Sequence, residues 1–191
     1  DCIIMKKQTI YITLLFGLIL IFNSLGNITA QNTVKIGNQN WTTTNLDVST
    51  YRNGDEIPQI QDPIAWAKLT TGAWCYYQNK TSNGTIYGKL YNLYAVIDHR
   101  GLSPKGFHIP TDAEWTILTD YLGGKDAAGG KMKEAGIAHW NSPNLSATNS
   151  SGFKGLPGGY RTHTGTFGGI GNEGDWWSSS ASNTIIALTH F

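Results

Sequence analysis

The sequence predicts an α+β protein with few, short helices, small strands and long ordered connections. Three observations predict it. Thr111-Asp112-Ala113-Glu114 matches a helix capping box, and Trp115, Leu118 and Leu122 follow at helical spacing. Two aromatic, β-prone runs, 73–77 (AWCYY) and 85–91 (TIYGKLY), flank a turn-type Asn83-Gly84 pair. Beyond Trp140 the chain is rich in Asn, Ser and Gly. It still carries Phe153, Leu156, Tyr160, Phe167 and Ile170, too many large apolar residues for a flexible linker.

At the N-terminal end, Met5-Lys6-Lys7 precedes an apolar run over 10–22, and Asn27-Ile28-Thr29-Ala30 ends in small residues. That order is the pattern of a secretory signal peptide over 5–30, with cleavage expected after Ala30. The run is shorter than the roughly 20 residues a span requires, so a retained anchor is the lesser alternative. Residues 1–4 are expected to lie upstream of the true start. Cys2 stands on the wrong side of the apolar run for lipidation. The expected location is therefore secreted, periplasmic or cell-surface, with membrane contact only during export.

Residues 33–191 are expected to form a single domain, long enough to bury a core without staples. Taking Lys6 and Lys7 from 14 basic residues, and Asp1 from 13 acidic ones, leaves this part with no net charge. Such a chain exerts no electrostatic pull on nucleic acid or anionic membranes. With 14% charged residues and 23 Gly, its surface is made polar by Asn, Ser and Thr.

The elements follow in order. Gly37-Asn38 between 33–36 and 39–42 suits a type II′ hairpin. Asn53-Gly54 signals a second tight turn. Residues 64–69 suit a short helix, with Asp62 as cap and Pro63 in its first turn. The runs 73–77 and 85–91 are expected to pair across Asn83-Gly84. His108 falls on an expected strand before Pro110. The capped helix ends at Gly123-Gly124. A second, poorer helix is expected over 126–135, with Ala128, Met132 and Ala135 on one face and Gly136 as its stop. Residues 175–179 (DWWSS) suit a strand.

No stretch carries a catalytic set. Asp112 and Glu114 are two apart and do not share a helix face, so with His108 they serve the helix start better than a reaction. The glycine runs 155–159 and 168–171 lack the strand-to-helix context and Gly-Lys-Ser/Thr ending of a phosphate loop. Asn172, Glu173 and Asp175 offer oxygen donors, a weak calcium candidate against the simpler alternative of a solvated turn. Cys75, alone in the mature part, suits a buried or once disulfide-bonded residue better than a nucleophile. The seven tryptophans and nine tyrosines suit the filling of a core better than a carbohydrate-stacking surface. Sequons such as Asn79-Lys80-Thr81 are read as composition.

Six stretches in order carry a resemblance: 36–41 with Asn45-Leu46, 87–92 (YGKLYN), 104–115 (PKGFHIPTDAEW), 147–153 (ATNSSGF), 156–161 (LPGGYR) and 176–179 (WWSS). Over about 34–180 the chain resembles the Fibrobacter succinogenes major paralogous domain family of secreted and surface bacterial proteins. The helix start is distantly similar to that of the formylglycine-generating, sulfatase-modifying family. Through both, the resemblance implies a C-type-lectin-like fold with two helices, a small twisted antiparallel sheet and long structured loops. Trp41, Thr111, Glu114, Trp115, Gly158, Arg161, Trp176 and Trp177 are its structural markers; the matched motifs assign Trp41, Trp115, Trp176 and Trp177 to the core and leave Trp66, Trp74 and Trp140 less constrained. The resemblance also implies a further cysteine-bearing strand after 176–179, which is expected to be missing, together with a disulfide partner for Cys75. The catalytic cysteines of the formylglycine-generating relatives have no counterpart here. The expected function is an exported, non-catalytic binding module without cofactor, its loops over 141–174 meeting a protein or polysaccharide. An enzyme of formylglycine-generating descent and a structural envelope domain are the alternatives.

Overall fold

The structure, a computed structural model, describes residues 32–180 and the backbone of 185–189; the expected signal segment and residues 1–4 lie outside the described residues. Among the described residues no helix is long and apolar enough to cross a membrane.

The chain opens on a hairpin of β1 (Thr33–Ile36) and β2 (Gln39–Thr42), with Ile36 opposite Gln39 across a two-residue loop. Gly37 takes φ +59 there, a conformation open to glycine at little cost, and a Cβ at this position would lie 3.1 Å from the Tyr121 ring. Helix α1 (Pro63–Ala67) starts as expected, the Asp62 carboxylate accepting from the Ala65 amide at 2.7 Å. Strand β3 (Trp74–Cys75) pairs antiparallel with β4 (Leu90–Tyr91).

The connection between these strands corrects the expected hairpin. A 3-10 turn (Tyr77–Asn79) and helix α2 (Thr81–Tyr87) fill it, and Asn83-Gly84 lies inside the helix. Gly84 serves close packing instead of a turn, since a Cβ there would meet the Tyr76 ring at 2.2 Å. Helix α3 (Leu93–Val96), also unexpected, starts at Asn92, whose side chain accepts from both the Ala95 and Ala73 amides.

Helix α4 (Asp112–Tyr121) carries the complete capping box, and Trp115, Leu118 and Leu122 are buried beneath it. Helix α5 (Lys125–Met132) is shorter than expected. After Met132 the backbone leaves the helix to pair with Gly155: the Gly155 amide donates to the Met132 carbonyl, and the Glu134 amide to the Gly155 carbonyl. Ala135 is consequently exposed, not part of the buried face. His108 lies on irregular chain rather than a strand, because the carbonyls of Ile109 and Pro110 are met by Ser179 and not by a ladder.

Two short strands, β5 (Tyr160–Arg161) and β6 (Phe167–Gly168), form a small hairpin. Strand β7 (Glu173–Trp177) then pairs antiparallel with β8 (Ile185–Thr189), Asp175 facing Ala187. A strand therefore does follow the Trp176-Trp177 element. The expectation that it is missing tied that strand to a cysteine, whereas ladder pairing needs only backbone groups in a β-prone run.

The architecture is α+β, with five helices and four two-stranded antiparallel ladders among the described residues. A single bridge between Gly159 and Gly174 ties the loops to β7. Among the described residues the core has three parts. Ile36, Trp41, Trp115, Leu118, Met132 and Phe153 gather between the first hairpin and α4–α5. Tyr51, Trp74, Tyr91, Ala95 and Leu102 form a second cluster, and Trp66, Ala73 and Cys75 a third.

Candidate functional site

The His108–Asp112–Glu114 group is a helix start. Glu114 Oε2 accepts from the Thr111 amide at 2.8 Å, and the Thr111 hydroxyl accepts from the Glu114 amide at 3.3 Å. Glu114 Oε1 meets His108 Nε2 at 2.8 Å. Burial by itself would push the Glu114 carboxyl up, but the Thr111 amide, His108 and the Thr111 hydroxyl outweigh it and hold the group below its ordinary range. The Asp112 amide receives a bond from outside the helix, donating to the Ser180 hydroxyl at 2.9 Å. Sequence reasoning missed Ser180, and no local signal links residues 68 apart.

Each of the seven tryptophans donates its indole N–H within the protein. Trp66, Trp74 and Trp140, less constrained in the sequence, are as buried as Trp41 and Trp115. Trp41 and Trp115 stack with centroids 4.7 Å apart, and Phe153 links them to half-buried Trp176. The indoles are thus internal packing and hydrogen-bonding groups.

Arg161 ties two separate segments of the chain together. Its guanidinium donates to the carbonyls of Ile60, Gln61 and Gly165 at 2.7, 2.8 and 3.1 Å. It lies between the rings of Trp66 and Phe167, 4.3 and 4.8 Å from their centroids. Buried Gly158 leaves room for Tyr87, whose Cβ would lie 3.4 Å from an added methyl. Cys75 is free and fully buried in the third core cluster, and burial pushes its thiol up. The Arg161 guanidinium acts against that rise, and burial outweighs it.

The loops over 141–174 are held by backbone bonds. Asn141 N–H donates to the Gly171 carbonyl at 2.8 Å, Gly171 N–H to Pro157 at 3.0 Å, and Gly159 N–H to Glu173 at 2.8 Å. The three calcium candidates lie just before and on β7. Asn172 Oδ1 accepts from Asn141 Nδ2 at 3.0 Å. Glu173 lies beside Gly169 and Tyr160. Asp175 buries an oxygen with no hydrogen-bond partner among the described residues. Its carboxyl is pushed up to about 6, first by burial and then by the charge of Glu173. Among the described residues no group of three or more His, Cys, Asp or Glu is placed to hold a metal ion.

A second polar cluster went unseen in the sequence. Glu134 Oε2 meets His139 Nδ1 at 2.6 Å, and the His139 ring stands edge-on to Tyr87 with centroids 6.0 Å apart. Burial, then the Glu134 charge, raises the Tyr87 phenol. Beside them Lys133 is almost wholly buried, its ammonium donating to the Leu145 carbonyl at 3.1 Å over the Trp140 ring. Burial pulls that ammonium below its usual range.

The folded chain is thus a tryptophan-pinned α+β domain whose loop face carries polar side chains. Residues 34–189 match the sequence profile of the Fibrobacter succinogenes major domain, and the chain belongs to that family. No curated protein and no solved structure matches it.

Proposed function

We propose that the chain is an exported, non-catalytic binding module of a bacterial cell surface or periplasm, built on a C-type-lectin-like fold. The recognition face is the loop region 141–174, and the ligand is a polysaccharide or a protein. One observation carries this reading. The loop backbone is pinned by its own hydrogen bonds, yet it presents exposed Asn172 and half-buried Tyr160 and Glu173. A preformed surface with a few polar groups and one ring suits hydrogen-bonded recognition of hydroxyl-rich or peptide ligands. The tryptophan N–H groups are engaged internally, so the polar contacts to a ligand come from other side chains.

The test is a pull-down on insoluble envelope and plant polysaccharides alongside a glycan array. Binding that falls at least tenfold in Asn172→Lys, with unchanged thermal stability, supports the reading. Absence of binding to every glycan removes the carbohydrate version and leaves protein ligands. A second reading, an enzyme of formylglycine-generating descent, is favoured only by the Glu134–His139 pair, an acid orienting an imidazole. Any activity unchanged by both His139→Gln and Cys75→Ser removes that mechanism.

A further inference from the structure

The chain holds two Asn-Gly pairs, Asn53-Gly54 and Asn83-Gly84, and the fold places them in opposite environments. Asn53, Gly54 and Asp55 are all exposed in a tight turn, closed by the Gly54 amide donating to the Tyr51 carbonyl at 2.9 Å. Gly54 takes φ +95, and nothing lies within 4 Å of where its Cβ would be. Asn83-Gly84 is helical, with buried Gly84 pressed beneath the Tyr76 ring and its amide donating to the Lys80 carbonyl.

We propose that Asn53 is a site of spontaneous, structure-selected deamidation, and that Asn83, with the same neighbour in sequence, is protected. The Gly54 amide nitrogen loses its proton to solvent base and attacks Asn53 Cγ. A C–N bond forms, the Cγ–Nδ2 bond breaks, and the side-chain nitrogen leaves as ammonia. Water then opens the cyclic imide. Attack at Cγ gives aspartate, and attack at the main-chain carbonyl gives isoaspartate; no redox partner is needed. Ring closure requires the backbone at the asparagine to leave helical geometry, which the buried contact of Gly84 with Tyr76 resists. The turn at Asn53 is also held by the Tyr51 amide donating to the Asp55 carbonyl at 2.8 Å. The two bonds at the reacting groups, from the Gly54 amide to the Tyr51 carbonyl and from the Asp55 amide to Asn53 Oδ1, lie on exposed chain and open in local fluctuations. Isoaspartate lengthens the turn backbone and so loosens the bridge between Thr50 and Glu56. Either product adds a negative charge close to Asp55, which pairs with Arg100.

The experiment is peptide mapping by mass spectrometry of the folded full chain during incubation in mildly alkaline buffer, with a parallel urea-unfolded sample. The expected result is replacement of the Asn53 amide by a carboxyl. Conversion at Asn83 is slower by about tenfold or more in the folded chain, and the two rates converge on unfolding. Asn53→Gln, which disfavours the five-membered imide, abolishes conversion at that position and leaves the Asn83 rate unchanged. Equal rates at the two sites in the folded chain, or an Asn53 that stays amidated while Asn83 converts, overturns the proposal.

Discussion

Arg161 and Asp175 show how single side chains tie the loops to the body of the domain. Arg161 meets three carbonyls from two separate segments and lies between two rings. A lysine there offers a point charge without the planar fork, so Arg161→Lys is expected to cost about 2–3 kcal/mol, read as a lower urea midpoint at unchanged slope. Asp175 has the opposite balance, with a buried oxygen that meets no donor among the described residues and a carboxyl raised to about 6. Its folded value lies above the unfolded one near 3.9, so the native state takes up a proton first. The charged form therefore opposes folding above about pH 6, and that penalty is relieved as pH falls toward 4. Asp175→Asn is expected to raise Tm near neutral pH by about 2–4 °C per kcal/mol relieved, and to flatten the rise in Tm between pH 7 and pH 5. An unchanged pH profile in this variant would show that the carboxylate is solvated after all.

Among the elements, helix α4 depends most on its first turn. Thr111→Ala removes one half of the capping box and is expected to cost about 1 kcal/mol by thermal or chemical denaturation. The Glu114 carboxyl lies below its ordinary range in the folded state. Its contribution is therefore present above the unfolded value near 4.3 and is lost as pH falls through the lower folded value. Glu114→Gln is expected to remove that acid-side loss while keeping an oxygen for the Thr111 amide. This helix was legible in the sequence because its cap, apolar spacing and glycine stop are all local. The same holds for α1, where Asp62 and Pro63 sit next to the helix they start. Helix α2 was not legible. Asn83-Gly84 between β-prone runs signals a turn, and only the folded position of the Tyr76 ring, eight residues earlier, shows that Gly84 is there for contact. The early end of α5 has the same cause, since the backbone at Met132 is captured by Gly155, 23 positions away.

Across the whole molecule, Trp115 joins two parts of the core. Its ring packs with Trp41 and Phe153 in the first cluster, and its indole donates to the carbonyl of Trp177, which packs against the second. Trp115→Ala is expected to cost about 3–5 kcal/mol and to lower both clusters in one cooperative transition. Two separate transitions in calorimetry would show that the clusters fold independently. The sequence alone determined the α+β class, the first hairpin, α1, α4 and the buried place of Trp41 and Trp115, because these rest on neighbours in the chain, and six matched motifs in order carried the family. The tertiary structure decided the inner position of Trp66, Trp74 and Trp140, the helical fate of Asn83-Gly84, the pairing of β7 with β8, and the Glu134–His139 and Ser180 contacts. Those outcomes depend on which distant backbone groups and rings meet, and side-chain type at one position does not specify its partner across the fold.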